Sequence, residues 1–143
     1  MKDRIALFAA ALWWGSLTTT GFLVVPMLFV RLGNPAVAGN FAGQLFAAQT
    51  WVAIACGLLL LVHWRSRRGD VEPGESAAAP TAPGGDGTAL FFILAALLLA
   101  LLQQYAVAPH ILARDNLRFW HTAGSAMYGL QWFCAGVLLW RAK

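Results

Sequence analysis

Charged residues are scarce in this sequence, and they are unevenly distributed. Asp, Glu, Lys and Arg make up 11% of its 143 residues, whereas 59% are hydrophobic and the mean hydropathy is +0.64. Four runs contain no residue of these four types, at about 5–30, 36–64, 88–113 and 119–140. A soluble domain of this size cannot bury so much apolar surface, and each run reaches the ~20 residues that a helix needs to cross a bilayer. The sequence therefore predicts an all-α integral membrane protein with four spanning helices.

Carboxylates are absent from all four predicted spans. Their absence argues against proton-coupled exchange within one chain and leaves no acid and base pair for hydrolysis. We therefore favour a protein that is not an enzyme. The two cysteines, Cys56 and Cys134, both fall in apolar runs, where a thiol behaves as a small hydrophobe, so no disulfide is predicted. The first run is too long for a signal peptide and is interpreted as a retained span.

Basic residues are concentrated on one side of the predicted spans. Seven of the ten lie at the two ends of the chain and between the second and third runs: Lys2, Arg4, Arg65, Arg67, Arg68, Arg141 and Lys143. The positive-inside rule then places both termini in the cytoplasm, which fits a multi-pass protein of the bacterial inner membrane. The net charge of +4 comes from these flanks, so the expected partner is the lipid bilayer and not a nucleic acid. A homo-oligomer is left open.

The chain has the organisation of two tandem helical hairpins. Residues 24–31 and 107–114 align without a gap, and each segment ends a long apolar run that is followed by a turn and a second run. The predicted units are a first hairpin at 1–65, a linker at 66–87 and a second hairpin at 88–143. The linker is rich in Gly, Pro and Ala and holds four of the six acidic residues, which predicts disorder on the cytoplasmic side.

Prolines and glycines predict where the helices bend and pack. The alignment predicts that Pro26 and Pro109 lie at the same outer depth, and that Pro26 kinks or ends its helix. Gly15, Gly39 and Gly43 belong to small-residue series that allow neighbouring backbones to approach. We expect this approach to occur within one chain, with dimerisation as the alternative, and we expect Gly43→Leu to disrupt the packing of helix 2.

Polar side chains of the last three runs fall in the outer half of the bilayer. They form the candidate pocket, whose members are Asn40, Gln44, Gln103, Gln104, His110, His121, Ser125, Tyr128 and Gln131. Polar groups inside lipid seek each other or water. Two interpretations remain open, hydrogen bonds between helices and a functional pocket that opens to the outside. We expect His121 to be the central group, facing the interior of the bundle on a stripe with Ser125 and Tyr128.

Several short motifs occur together in an order that resembles a known family. They are Gly15, Val25-Pro26-Met27-Leu28-Phe29, Ala38-Gly39, Phe46, Ala108-Pro109, and Phe119 with His121. In this order they resemble the transmembrane-protein-205-like family of four-helix membrane proteins. The resemblance covers both hairpins and excludes the linker. It implies a small integral membrane bundle without an established reaction, and it supplies no catalytic residues.

The resembling family is itself distantly similar to copper-resistance membrane proteins and to a haem-binding membrane oxidase. Those proteins imply a histidine early in helix 1 and an intramembrane lysine, and this chain has neither. No cofactor is predicted, although haem or copper stays an alternative with His110, His121, Met27 and Met127 as candidate ligands. The first functional hypothesis is therefore a membrane protein that binds or passes a small solute through the outer pocket. The alternative is a metal- or haem-dependent redox protein.

Overall fold

A computed structural model describes residues 2–69 and 85–142, with side chains for residues 3–66 and 87–142. All regular secondary structure in these residues is helical. Helix 1 comprises Lys2–Thr18, a π turn at Thr19–Val24 and Val25–Leu32; helix 2 is Pro35–Gly69; helix 3 comprises Gly85–Leu102, a π turn at Gln103–Val107 and Ala108–Leu112; helix 4 is Leu117–Arg141. The prediction of an all-α protein with four helices is confirmed.

The ends of the helices lie close to those that the uncharged runs predict. Helix 2 differs most, since it continues to Gly69 where the run predicts an end near residue 64. Helical structure also covers 66–69 and 85–87, the two edges of the predicted linker. The remainder of that linker lies outside the described residues, so the prediction of disorder stays a prediction.

The turn between helices 1 and 2 follows from three consecutive residues. Gly33 adopts a left-handed conformation, with φ of 60°, that favours glycine. The Asn34 side chain then accepts hydrogen bonds from the backbone N–H groups of Ala36 and Val37, at 3.0 and 3.4 Å. Pro35 begins helix 2, where its missing N–H has no cost. This short turn makes helices 1 and 2 neighbours that run in opposite directions.

Each helix contacts two others. Helices 1 and 3 each pack against helices 2 and 4. Helix 1 contributes Ala6, Ala9, Ala10, Trp13 and Leu17 to the core, all of which are buried. The alanines bring the neighbouring helices close around the large Trp13 ring. Many apolar side chains face outward instead, among them Phe8 and Val30, which are 72% and 82% exposed.

Three of the helical segments are long and apolar enough to cross a membrane. They are Asp3–Leu32, Pro35–Ser66 and Gly87–Leu112. Helix 4 is not among them, because polar residues such as Tyr128 and Gln131 interrupt its apolar sequence. The structure therefore supports a membrane protein with three clear candidate spans, and the fourth span stays a prediction.

Both π turns end two residues before a proline. The Val25 N–H donates to the Thr20 carbonyl, and the Ala108 N–H donates to the Gln103 carbonyl. These bonds are 83 residues apart in the chain, as are Pro26 and Pro109. A proline lacks an N–H and clashes with the preceding turn, and a wider π turn accommodates both effects. Helix 1 therefore does not end at Pro26 but continues to Leu32.

The glycines that permit close packing are not the predicted ones. A Cβ atom added at Gly15, Gly39 or Gly43 would meet no atom within 4 Å. The space around Gly43 therefore gives no support, within a single chain, for the prediction that Gly43→Leu disrupts the packing of helix 2. A Cβ atom at Gly21 would instead collide with the Tyr128 ring, and one at Gly124 would come within 3.2 Å of Val107.

Candidate functional site

The structure does not gather the predicted outer residues into a pocket. Five of them are exposed, namely Asn40, Gln44, His110, His121 and Ser125. Gln103 and Gln104 are half-buried, and Tyr128 and Gln131 are buried. The prediction that His121 faces the interior is wrong, and within the described part of the chain its side chain has no hydrogen bond or ion pair.

The position of His121 follows from the geometry of helix 4. The buried stripe of this helix runs through Gly124, Tyr128, Gln131 and Ala135. At about 100° per residue, His121 lies roughly 60° away from Gly124 around the helix axis. It also lies beyond Gly124, the last buried residue toward this end. His110 is likewise outside the core. Its ring stacks on Trp120 with centroids 4.2 Å apart.

Helices 1 and 2 are connected by a polar contact near their middle. The Gln49 amide donates to Ser16 Oγ at 2.9 Å, and Thr20 Oγ1 donates to Gln49 Oε1 at 3.4 Å. Gln49 is buried at 6% exposure. Ser16 and Thr20 lie four residues apart, so both face helix 2.

Helix 4 joins the same part of helix 1. Tyr128 donates from its hydroxyl to the Leu17 carbonyl at 2.8 Å, and Trp132 Nε1 donates to Thr18 Oγ1 at 2.9 Å. Helix 3 also bonds helix 4, since the Gln103 amide donates to the Gly124 carbonyl at 3.0 Å. Tyr128 and Gln103 are thus used in hydrogen bonds between helices. Of the two interpretations of the polar residues, this favours the structural one.

A small cavity lies at the other end of the helices. It has a volume of about 130 Å³ and is lined by Asp3, Ala6, Leu60, His63, Trp64, Leu138, Arg141 and Ala142. We call it the His63 pocket. Its residues come from the start of helix 1 and from the ends of helices 2 and 4. Within it an acid, an imidazole, an indole and a guanidinium surround one space.

His63 and Asp3 lie close together in the His63 pocket. His63 Nε2 lies 3.6 Å from Asp3 Oδ1, and the two side chains are 10% and 70% exposed. This distance exceeds that of a hydrogen bond, so the attraction depends on a protonated imidazole. Asp3, Trp64 and Arg141 also make further contacts. The pocket therefore contains an imidazole that is nearly buried beside a carboxylate.

Helix register explains why these residues meet. The hydrogen bond from Gln49 to Ser16 fixes the alignment of helices 1 and 2. Asp3 lies 13 residues before Ser16, and His63 lies 14 residues after Gln49. In antiparallel helices these offsets bring the two residues to the same level. His63 was not among the predicted site residues. Asp3, the acid beside the first span, is the signal that could have indicated a partner for it.

A second cavity is an apolar groove between helices 1 and 4. It measures about 370 Å³ and is lined by Trp14, Trp132, Phe133, Gly136, Val137, Leu139 and Trp140. Phe133 and Trp140 are 57% and 74% exposed. No titratable acid, base or thiol lines this groove, so it offers shape without acid or base chemistry.

The described residues contain no group of three or more His, Cys, Asp or Glu side chains that could hold a metal ion. His110, His121 and Met27 are exposed, and Met127 is half-buried. Cys56 and Cys134 are buried free thiols. The redox alternative therefore has no support from these residues.

A family model described as a domain of unknown function, DUF4149, matches residues 8–119. The chain belongs to this family. No curated protein and no solved structure matches it. The comparisons give no support for a relationship to the transmembrane-protein-205-like family or to copper- and haem-binding proteins. The DUF4149 match includes both π turns and His63, whereas Asp3 and Arg141 lie outside it.

Proposed function

We propose that this DUF4149 protein crosses the cytoplasmic membrane four times as a bundle of two tandem hairpins. Helix 4 is 25 residues long, which corresponds to roughly 37 Å at ~1.5 Å per residue. Its lower hydropathy comes partly from Tyr128 and Gln131, which are buried and therefore shielded from lipid. The length and the burial of these polar groups support a fourth span.

Both termini, with the segment between helices 2 and 3, lie in the cytoplasm in this proposal. The support is the concentration of basic residues at the end that carries the His63 pocket. Cysteine labelling of intact cells tests it. Because Cys56 and Cys134 are buried, both can be replaced by alanine to give a background without reactive thiols.

In that background, Ala78→Cys should resist an impermeant thiol reagent applied from outside, and Asn34→Cys should react. Asn34 lies in the exposed turn between helices 1 and 2 and serves as the matched control. Labelling of Ala78→Cys with protection of Asn34→Cys would invert the topology. Labelling of both, or of neither in intact cells but both after lysis, would contradict four spans.

The function that we propose is binding of a small polar solute in the His63 pocket. The observation that carries it is the enclosure of Asp3, His63 and Arg141 around one cavity of about 130 Å³. None of the described lining residues is a serine, threonine or cysteine. The lining offers charged and hydrogen-bonding groups, which suit the binding of a small polar solute. The outer-half residues enclose neither of the two cavities described above.

Ligand-dependent stability tests the proposal. A bound solute raises the unfolding midpoint of the full-length protein by mass action, so small anions, amines and zwitterions are screened in a nonionic detergent. Ala6→Leu, which fills the His63 pocket, should abolish any shift. Ala55→Leu, on the exposed face of helix 2, should preserve it. A solute that shifts wild type and Ala6→Leu equally binds elsewhere, and the proposal would fail.

A further inference from the structure

The His63 pocket combines groups of both charge signs. Asp3 supplies a carboxylate, Arg141 supplies a guanidinium, and both line the same small space. A ligand with a single charge would be attracted by one of them and repelled by the other. From this arrangement, and resting on the proposed function, we propose that the bound solute is a zwitterion with a primary ammonium group and a phosphate or carboxylate.

The ammonium group matches Asp3, His63 and Trp64. Asp3 Oδ1 and His63 Nε2 lie 3.6 Å apart, too far to bond each other. When the imidazole is neutral with its proton on Nδ1, Nε2 is an acceptor, and one ammonium can donate to both atoms. The indole of Trp64 lines the same space and adds an aromatic surface, a kind of group that attracts cations. A quaternary ammonium lacks the N–H donors that these two acceptors require, so a primary amine fits better.

The anionic group matches Arg141. A guanidinium presents paired N–H donors that suit the oxygens of a phosphate or carboxylate. Arg4 and Arg65 are exposed at the same end of the helices and add to the positive field around the mouth of the pocket. Arg141 already makes a further contact, so the ligand exchanges for that contact or shares the guanidinium with it.

The size and the depth of the pocket restrict the ligand further. Its volume of about 130 Å³ lies well below the ~300–1,000 Å³ of ordinary small-molecule sites, so only a few atoms separate the two charges. Tryptophan and arginine beside the pocket mark the depth of lipid headgroups. The same chemistry therefore has two sources, a free solute such as phosphoethanolamine and the headgroup of phosphatidylethanolamine.

Titration of the purified full-length protein in a maltoside detergent tests the ligand class. The probes are phosphoethanolamine, inorganic phosphate, ethanolamine and phosphocholine. Phosphoethanolamine should bind at least about tenfold more tightly than each of the others, the difference expected from one charge-assisted hydrogen bond. Asp3→Asn and Arg141→Gln should each weaken its binding about tenfold. Arg31→Gln removes an exposed arginine at the opposite end of helix 1, far from the pocket, and it should leave binding unchanged.

Two further outcomes separate this inference from the proposed function. If inorganic phosphate binds as tightly as phosphoethanolamine and Ala6→Leu abolishes both, the pocket binds a simple anion and the zwitterion is overturned. If no probe binds but another solute of the stability screen shifts the wild type and not Ala6→Leu, only the zwitterion is overturned. If no solute of that screen binds either, the proposed function fails as well. Because Asp3 is largely exposed, Asp3→Asn should fold, and its unfolding midpoint without ligand checks this.

Reconstitution separates the two sources of the ligand. The protein is placed in phosphatidylcholine vesicles with or without phosphatidylethanolamine, and soluble phosphoethanolamine is titrated. A lipid headgroup in the pocket competes, so phosphatidylethanolamine should weaken the apparent binding about tenfold. An unchanged affinity assigns the pocket to a free zwitterion. Loss of binding in both vesicle types, with binding retained in detergent, would overturn the inference for the membrane-embedded protein.

Discussion

Gly21 is the position where helix 1 has the least room for a side chain. A Cβ atom added there would overlap the ring of Tyr128 on helix 4. That ring is 8% exposed, and its hydroxyl bonds the Leu17 carbonyl at 2.8 Å. In Gly21→Ala the ring must therefore move, and its hydrogen bond to helix 1 must lengthen or break. We expect this substitution to loosen the contact between helices 1 and 4.

The expected change in the free energy of unfolding combines two unfavourable effects and one favourable effect. Crowding a packed site costs about 1–3 kcal/mol, and the interhelical hydrogen bond contributes about 0.6 kcal/mol in a membrane. Alanine is favoured over glycine in a helix by ~1 kcal/mol, which offsets part of this cost. Gly21→Ala should thus lower the free energy of unfolding by about 1–2 kcal/mol. In a Tyr128→Ala background the overlap is gone, and the same substitution should become stabilising by up to ~1 kcal/mol.

The assay is reversible unfolding by SDS in mixed micelles, followed by tryptophan fluorescence. Gly15→Ala is the matched control, because it lies on the same helix and its added Cβ meets no atom within 4 Å. It should leave the midpoint unchanged or raise it. The reasoning would be refuted if Gly21→Ala were as stable as Gly15→Ala, or if its cost persisted after Tyr128→Ala.

The same assay tests three other features. Gln49→Leu removes two hydrogen bonds to helix 1 and should cost about 1 kcal/mol, whereas Gln44→Leu, at an exposed position, should cost nothing measurable. His121→Gln should change the free energy of unfolding by less than about 0.5 kcal/mol, because the side chain is exposed; a larger loss would place it back in a polar contact. Gly124→Leu should lower the free energy of unfolding by more than about 1 kcal/mol, because the new side chain crowds Val107. Gly43→Leu should not lower it. Equal effects at these two glycines would contradict the packing of the helices.

The helices could be predicted from the sequence because charge is so costly in lipid. Uncharged runs locate the four helices to within five residues at each end, and Gly33-Asn34-Pro35 predicts the first turn. The side of each helix that packs against its neighbours could not be predicted in the same way. In a soluble helix the apolar face is the buried one, whereas here both faces are apolar, and the exposed Val30 is a larger apolar side chain than the buried alanines of helix 1. The side that packs is then decided by small residues and by polar contacts.

The site illustrates the same difficulty. The spacing of the polar residues of helix 4 puts them on one stripe. Spacing does not show which end of this stripe extends beyond the neighbouring helices, and His121 was therefore predicted to face the interior of the bundle. Asp3 and His63 are 60 residues apart in sequence. Their meeting depends on the register between helices 1 and 2, which the buried Gln49 fixes. No local pattern around either residue contains that register.

The predicted repeat was based on an alignment of two segments, and an alignment gives no physical reason for a repeat. The two π turns provide such a reason. A proline removes one backbone donor wherever it lies in a helix, but the helix can respond by kinking, ending or widening. Pro26 and Pro109 are both accommodated by widening, with the Val25–Thr20 and Ala108–Gln103 bonds at the same offset. Contacts of Tyr128 with Leu17 and of Gly124 with Val107 place both prolines toward the same end of the helices.

If the hairpins are a true repeat, Pro26→Ala and Pro109→Ala should each convert the preceding π turn into regular α-helix. That change rotates the segment before the proline by about 100° relative to the segment after it. It would carry Gly21 away from the Tyr128 ring in the first hairpin and Val107 away from Gly124 in the second.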